Sequence, residues 1–252
     1  MTDEPRAWRV VLETIERDLL EGRLRPGDRL PGERALSADL GVGRSSVREA
    51  LRVLEVLGLI RTATGSGPNS GAIIIALPGG GMSALMRLQV AATGFAGSDI
   101  VATRLVLETA VAADLADADP RPSLEASVAL LDVMESLTLT DAEFLALDAQ
   151  FHLSLAEASG NQVIAATMAG LRSSIESYVR AGAATLPSWT ATAERLRAEH
   201  RDILAAIETG DAASARSTVH AHITNYYAET DLPPHRAVDG PEMAPDAAPR
   251  GT

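Results

Sequence analysis

From Met82 to about Glu229 the sequence is helical in pattern throughout, with Ala-rich segments whose apolar residues recur at helical spacing. Breaks fall near Gly94–Ser98, Asp119–Pro122, Leu139–Thr140, Gly160, Gly182–Pro187 and Gly210, where glycine, proline or a small hydroxyl interrupts the period. The spacing predicts six or seven helices. Helices with no sheet to rest on bury their apolar stripes against one another, so this stretch is expected to fold as an all-helical bundle. No internal repeat is visible, and the longest apolar stretches are far too short to span a bilayer.

The first third of the chain follows another plan. Residues 8–22, WRVVLETIERDLLEG, place Val11, Ile15 and Leu19 on one line, with Trp8 and Leu12 beside it and a Gly stop. LRPGDRLP contains a PG turn. Pro31 opens a second short helix, GERALSADLG, which Gly41 ends. A third, GRSSVREALRVLEVLG, aligns Val47, Leu51, Leu54 and Leu57 and stops at Gly58. Two β-type runs, LIRTA and AIIIA, flank TGSGPNSG and read as a hairpin with a long tip. Three helices and a ribbon in this order make a winged helix-turn-helix. The expected organisation is that module over residues 1–76, a hinge-like linker, LPGGG, over 77–81, and a helical domain over 82–230. A Pro-, Ala- and Gly-rich tail over 231–252 is expected to be disordered. The fold class is mainly α.

A net charge of −12 argues against a nucleic-acid partner until it is divided along the chain. Residues 1–75 hold 11 Arg and 11 acidic residues, so the whole excess of acid lies in the remainder. A neutral first part can still present a basic face, and the local patch is what binds phosphate. Arg44, Arg48 and Arg52 stand at i, i+4 and i+8 and share a face of the third helix away from its apolar stripe. In a helix-turn-helix the N-terminal residues of the second helix lead into the major groove. There Arg bonds guanine O6 and N7, and Ser45 and Ser46 can reach phosphates or base edges. The alternative is a solvated face with ion pairs, such as Arg48 or Arg52 with Glu55. The helix-turn-helix setting favours DNA contact for Arg44 and Arg48; Arg52, further from the helix start, suits a phosphate or nothing. Cysteine is absent, which excludes a disulfide framework and thiolate metal sites. MTDEPRAW carries no apolar run of a signal peptide, and the expected location is the cytoplasm.

These residues resemble the signature of GntR-type bacterial transcription regulators. The match runs over about residues 8–76 and comprises the lead-in from Gly22 to Arg34, the recognition helix G-V-x-R-x-x-V-R-E-A-L and the exit L-G-L-I. The resemblance implies that Arg34, Arg44 and Arg48 contact DNA and that wing-tip glycines within Gly65–Gly71, Gly65 and Gly67 among them, reach the minor groove. The family usually has Ser or Thr where this chain has Gly43, which removes a capping hydroxyl. The tip glycines lack the preceding strand and following helix of a dinucleotide loop.

The helical part holds a second constellation. His152 stands four residues after Asp148, which puts a carboxylate and an imidazole on one helix face. His200 lies on a later helix, and His220 and His222 on the last. One Asp and three His from three helices can surround an ion in a bundle core; an Asp–His pair at this spacing can equally be an ordinary ion pair. The segment from Met82 to Ala228 resembles the all-helical effector domain of the FadR-type branch of the GntR family, through R-L-V-L-E, D-A-Q-F-H, S-G-N and E-H-R-D-I-L-A-A-I-E-T-G-D. The resemblance implies a divalent metal held by Asp148, His152, His200 and His222, with His220 on the surface. Such a donor set suits Zn, Ni, Mn or Co. It also implies that Arg104 faces the effector cavity, where it would pair with a carboxylate or else with Glu108, and that Asn161 either lines the pocket or caps a helix.

The expected protein is a homodimeric, ligand-responsive regulator that binds a palindromic double-stranded operator, with a small organic acid (hydroxy acid or sugar acid) as effector. A DNA binder with a purely structural metal is the nearest alternative. A metal-dependent hydrolase is a further one, but no H-E-x-x-H helix and no recognisable base accompany the ligands. The chain is therefore not expected to be an enzyme.

Overall fold

The computed structural model describes residues 6–63, 71–75, 80–93 and 95–230. Among these it contains ten α-helices and a two-stranded antiparallel sheet. The residues sort into two compact units. One takes the described residues up to Gln89 together with Gly160–Leu171; the other takes Val90–Ser159 and the described residues from Arg172 on. The expected tail, residues 231–252, lies outside the described residues.

The first unit opens with α1 (Ala7–Leu20), α2 (Glu33–Leu40) and α3 (Arg44–Val56), followed by β1 (Ile60–Ala63) and β2 (Gly71–Ile74). The expected stripes meet in one core: Val11 and Ile15 from α1, Leu36 from α2, and Val47, Ala50, Leu51 and Leu54 from α3. Ile60, Ala72 and Ile74 of the ribbon close it. The turn between α2 and α3 depends on Gly41, whose φ of 65° is left-handed and favours a residue without a Cβ. β1 and β2 pair from Ile60↔Ile74 to Ala63↔Gly71. The segment read only as a PG turn does more than turn. Gly27 and Leu30 donate backbone hydrogen bonds to Ile74 and Ala72, and Ile74 donates to Asp28, so this segment covers the free edge of β2.

The next helix, α4 (Gly80–Thr93), takes in the last two residues of the expected linker. Gly81 is there for space rather than flexibility: a Cβ on it would lie 1.7 Å from the Leu57 carbonyl oxygen.

The second unit contains α5 (Gly97–Asp117), α6 (Glu125–Met134), α7 (Asp141–Ala158), the later part of α8 (Gln162–Ala183), α9 (Trp189–Thr209) and α10 (Ala212–Glu229). With α4 these make seven helices after the wing, the upper of the two expected numbers. Thr140 and Glu143 form a capping box at the start of α7, and Ser188 and Asp211 cap α9 and α10 through their side chains. α10 packs on α5 and α9, and α6 on α7 and α9. Phe144, Leu145 and Phe151 of α7 and Leu196, Ile203 and Ile207 of α9 are almost fully buried. No described helix is long and apolar enough to cross a membrane.

Candidate metal centre and nucleic-acid interface

α7 is buried on nearly all sides, and three of its buried residues, Asp148, His152 and Ser154, are polar. Asp148 and His152 are each 3% exposed, one helical turn apart. His200 reaches them from α9 with no exposure, and His222 from α10. One ligand atom from each of the four lies within 4.8 Å of the others. His152 Nε2 is 3.0 Å from His222 Nε2, and His200 Nε2 is 3.0 Å from Asp148 Oδ1. Even so, neither ring nitrogen of His200 has a hydrogen-bond partner. A polar group buried without a partner is costly, and a nitrogen aimed at a carboxylate and two imidazoles is the donor arrangement a divalent cation requires. The residues fit a metal. His220 is exposed, as expected, and His235 lies outside the described residues.

Two carboxylates that the sequence reading gave no part in holding the metal complete the cluster. Glu108 on α5 lies 2.7 Å from His152 Nδ1, and Glu199 on α9 lies 2.8 Å from His222 Nδ1. Each accepts the Nδ1 proton, which leaves Nε2 as the lone-pair donor facing the cluster. Glu108 also accepts from Arg104 Nε at 2.7 Å, and Glu199 from Arg195 Nη1 at 2.6 Å. His200 has no such carboxylate; its ring rests against Phe151, with ring centroids 4.6 Å apart. Glu108 was visible in the sequence as the i,i+4 partner of Arg104. Glu199 stands i,i+4 from Arg195 in the same way, but nothing local pairs it with His222, which lies on another helix.

Protonation suits the same role. Burial drives the His222 imidazole down to about 4, although Glu199 pulls the other way, and burial also lowers His200. Burial opposes ionisation of Glu108, but Arg104 and His152 hold it down at about 2. Burial likewise opposes ionisation of Asp148, yet the three imidazoles around it keep it below the usual carboxylate range. At neutral pH His200 and His222 therefore present neutral imidazoles to the cluster, and Asp148 an ionised carboxylate.

Beside the cluster lies a cavity of about 10 Å³, room for about one water molecule. Arg104, Asp148, His222 and Tyr226 line it with Leu145, Val179, Leu196 and Ile223. Arg104 lines this cavity and pairs with Glu108. Asn161 Oδ1 accepts the backbone N–H groups of Val163 and Ile164 and so caps α8.

On the first unit, Arg34 is exposed near the start of α2, and Arg44, Ser45 and Ser46 form the first turn of α3. Arg44 and Ser45 are exposed and Ser46 is half-buried. Gly43 provides the N-cap with no side-chain bond. Arg48 is also exposed, but its ion pair is not with Glu55. Its Nε lies 2.8 Å from Glu33 Oε2 on α2, while Glu55 accepts the Thr62 backbone N–H and hydroxyl. Gly65 and Gly67 of the wing tip lie outside the described residues.

The model of the bacterial regulatory proteins of the gntR family matches residues 9–68, and that of the FCD domain matches residues 99–225, half of the chain. The chain belongs to the gntR family of bacterial regulatory proteins. It is a ligand-responsive transcriptional regulator with an FCD effector domain, and its relatives are regulators rather than enzymes. The HTH-type transcriptional regulator LutR of Bacillus subtilis is 30% identical over 205 residues, 81% of this chain and 92% of the relative. The Glc operon transcriptional activator of Escherichia coli is 48% identical over 66 residues, 26% of each chain. A solved Streptococcus agalactiae GntR structure shares the fold at a TM-score of 0.56 and 24% identity, covering 88% of this regulator and all of that chain.

Proposed function

We propose that this regulator binds a palindromic operator as a homodimer and that its DNA affinity responds to a small carboxylate, a hydroxy acid or sugar acid, bound at a divalent metal ion. Asp148, His152, His200 and His222 hold the ion, and their donor set suits Zn, Ni, Mn or Co. When bound, the ion supplies a Lewis-acidic anchor for the oxygens of the acid. Arg104 receives the carboxylate in a charge-assisted hydrogen bond, while Asn161 caps α8. The convergence of four buried ligand atoms within 4.8 Å carries this reading.

Charge supports it. Among the described residues the buried charged groups are Asp148, Glu108 and Arg104, one negative charge in excess. A divalent cation reverses that to one positive charge, and a monocarboxylate neutralises it, which suits a low-dielectric interior. Size supplies a coupling. A cavity of about 10 Å³ admits an acid only if the helices around it part, so the acid favours an opened arrangement of the domain. Such a difference in affinity between two arrangements is what lets an effector shift DNA binding. On DNA, α3 enters the major groove; Arg44 and Arg48 read bases, and Arg34, Ser45 and Ser46 contact the backbone or base edges. Gly65 and Gly67 approach the minor groove. Two-fold symmetry sets the two half-sites.

The test is metal content by elemental analysis together with thermal shift and operator affinity, across a panel of organic acids with and without chelator. An acid that stabilises the protein and alters operator affinity only while metal is present is the expected result. Metal present with no response to any acid would leave a structural ion and remove the sensor.

A further inference from the structure

We infer that Glu33 is a positioning residue for DNA recognition: it fixes the Arg48 guanidinium so that Arg48 reads a guanine rather than gripping a phosphate. The inference rests on the reading of α3 as the recognition helix. Glu33 is the first residue of α2 and lies fifteen positions before Arg48, so the pair ties the two helices of the DNA-binding motif together. The contact is made by one nitrogen, Nε, 2.8 Å from Glu33 Oε2. The side chains are 58% and 35% exposed, so the far side of the guanidinium faces solvent. A guanidinium held through Nε keeps both terminal nitrogens, and those two make the bidentate contact with guanine O6 and N7.

A carboxylate on a DNA-facing surface repels phosphate, so its presence has a cost in affinity. The orientation of Arg48 offsets that cost in two ways. The side chain is held before binding, which reduces the entropy lost on docking. Pairing with Glu33 also cancels most of its charge toward distant phosphates, so its contribution is concentrated on the base it touches. Arg44, one turn earlier at the first position of α3, is exposed. The structure thus distinguishes two arginines that look equivalent in the sequence.

The experiment uses the full chain and compares wild type, Glu33→Gln and Arg48→Ala in binding-site selection and in affinity measured against salt concentration. Glu33→Gln is expected to relax the preference at one base pair per half-site, the same pair relaxed by Arg48→Ala. It is also expected to strengthen binding to random DNA several-fold and to steepen the salt dependence. Glu33→Asp should restore part of the preference. Thermal melting of each variant separates these effects from loss of fold, since a carboxylate that served only the start of α2 would change stability and leave base preference alone. If Arg48→Ala relaxes a base pair and Glu33→Gln does not, positioning by Glu33 is overturned while the DNA contact stands. If Arg48→Ala changes neither affinity nor preference, the contact itself is overturned and the inference with it.

Discussion

At the scale of single residues, the chain places similar side chains in opposite environments, and each environment sets what the residue does. Arg44 is exposed at the first position of α3, and Arg104 is 3% exposed beside Glu108. Arg44→Ala should relax operator recognition at a cost of about 1–3 kcal/mol for a bidentate base contact, read by binding-site selection; an unchanged consensus would refute the contact. The histidines divide likewise: His220 is exposed, while His222 is buried against Glu199. His152→Ala should lower metal occupancy in elemental analysis and leave operator binding of the metal-free protein close to that of wild type. Full metal content in the variant would remove His152 from the ligand set. Glu199→Gln keeps the size of the side chain but weakens the acceptor for His222 Nδ1. It should reduce metal affinity by about 10–100-fold in a competition titration with a chelator, whereas an unaltered affinity would make Glu199 a bystander.

At the scale of elements, helix ends and close approaches decide stability. Gly81→Ala sets two effects against each other. Alanine is the better helix former by about 1 kcal/mol, but its Cβ would lie 1.7 Å from the Leu57 carbonyl oxygen in the first turn of α4. Backbone cannot yield as a flexible side chain can, so the clash prevails, and the variant should unfold about 1–3 kcal/mol more easily in urea. A more stable variant would show that α4 can move freely here. The boundaries of α7 and α10 were legible because their caps are local: Thr140 with Glu143, and Asp211. The inward face of α7 was not legible. Besides the stripe of Phe144, Leu145, Asp148, Phe151, His152 and Leu155, the helix also buries Leu153 and Ser154 on its other sides, so periodicity does not mark an exposed face. The 27–30 segment was read as a turn only, because its bonds to β2 span more than forty residues and leave no local pattern.

At the scale of the whole molecule, the chain joins a DNA-binding module with no net charge to a strongly acidic effector domain. The metal is expected to act as a ligand of the folded state alone, since the four donors come from three helices and converge only on folding. Chelation should therefore lower the melting temperature, and metal added back should restore it in proportion to its concentration; a melting temperature indifferent to chelator would exclude a metal at this site. The sequence by itself determined the order of elements, the helix-turn-helix with its wing, the bundle, and the residue types able to bind metal and DNA. All of these follow from periodicity, caps and spacings of a few residues along one chain. Tertiary structure alone decided which polar side chains meet: Glu33 with Arg48, Glu199 with His222, and His200 with the Asp148 carboxylate. Such pairings depend on how helices far apart in sequence come to pack, and no local pattern records that geometry.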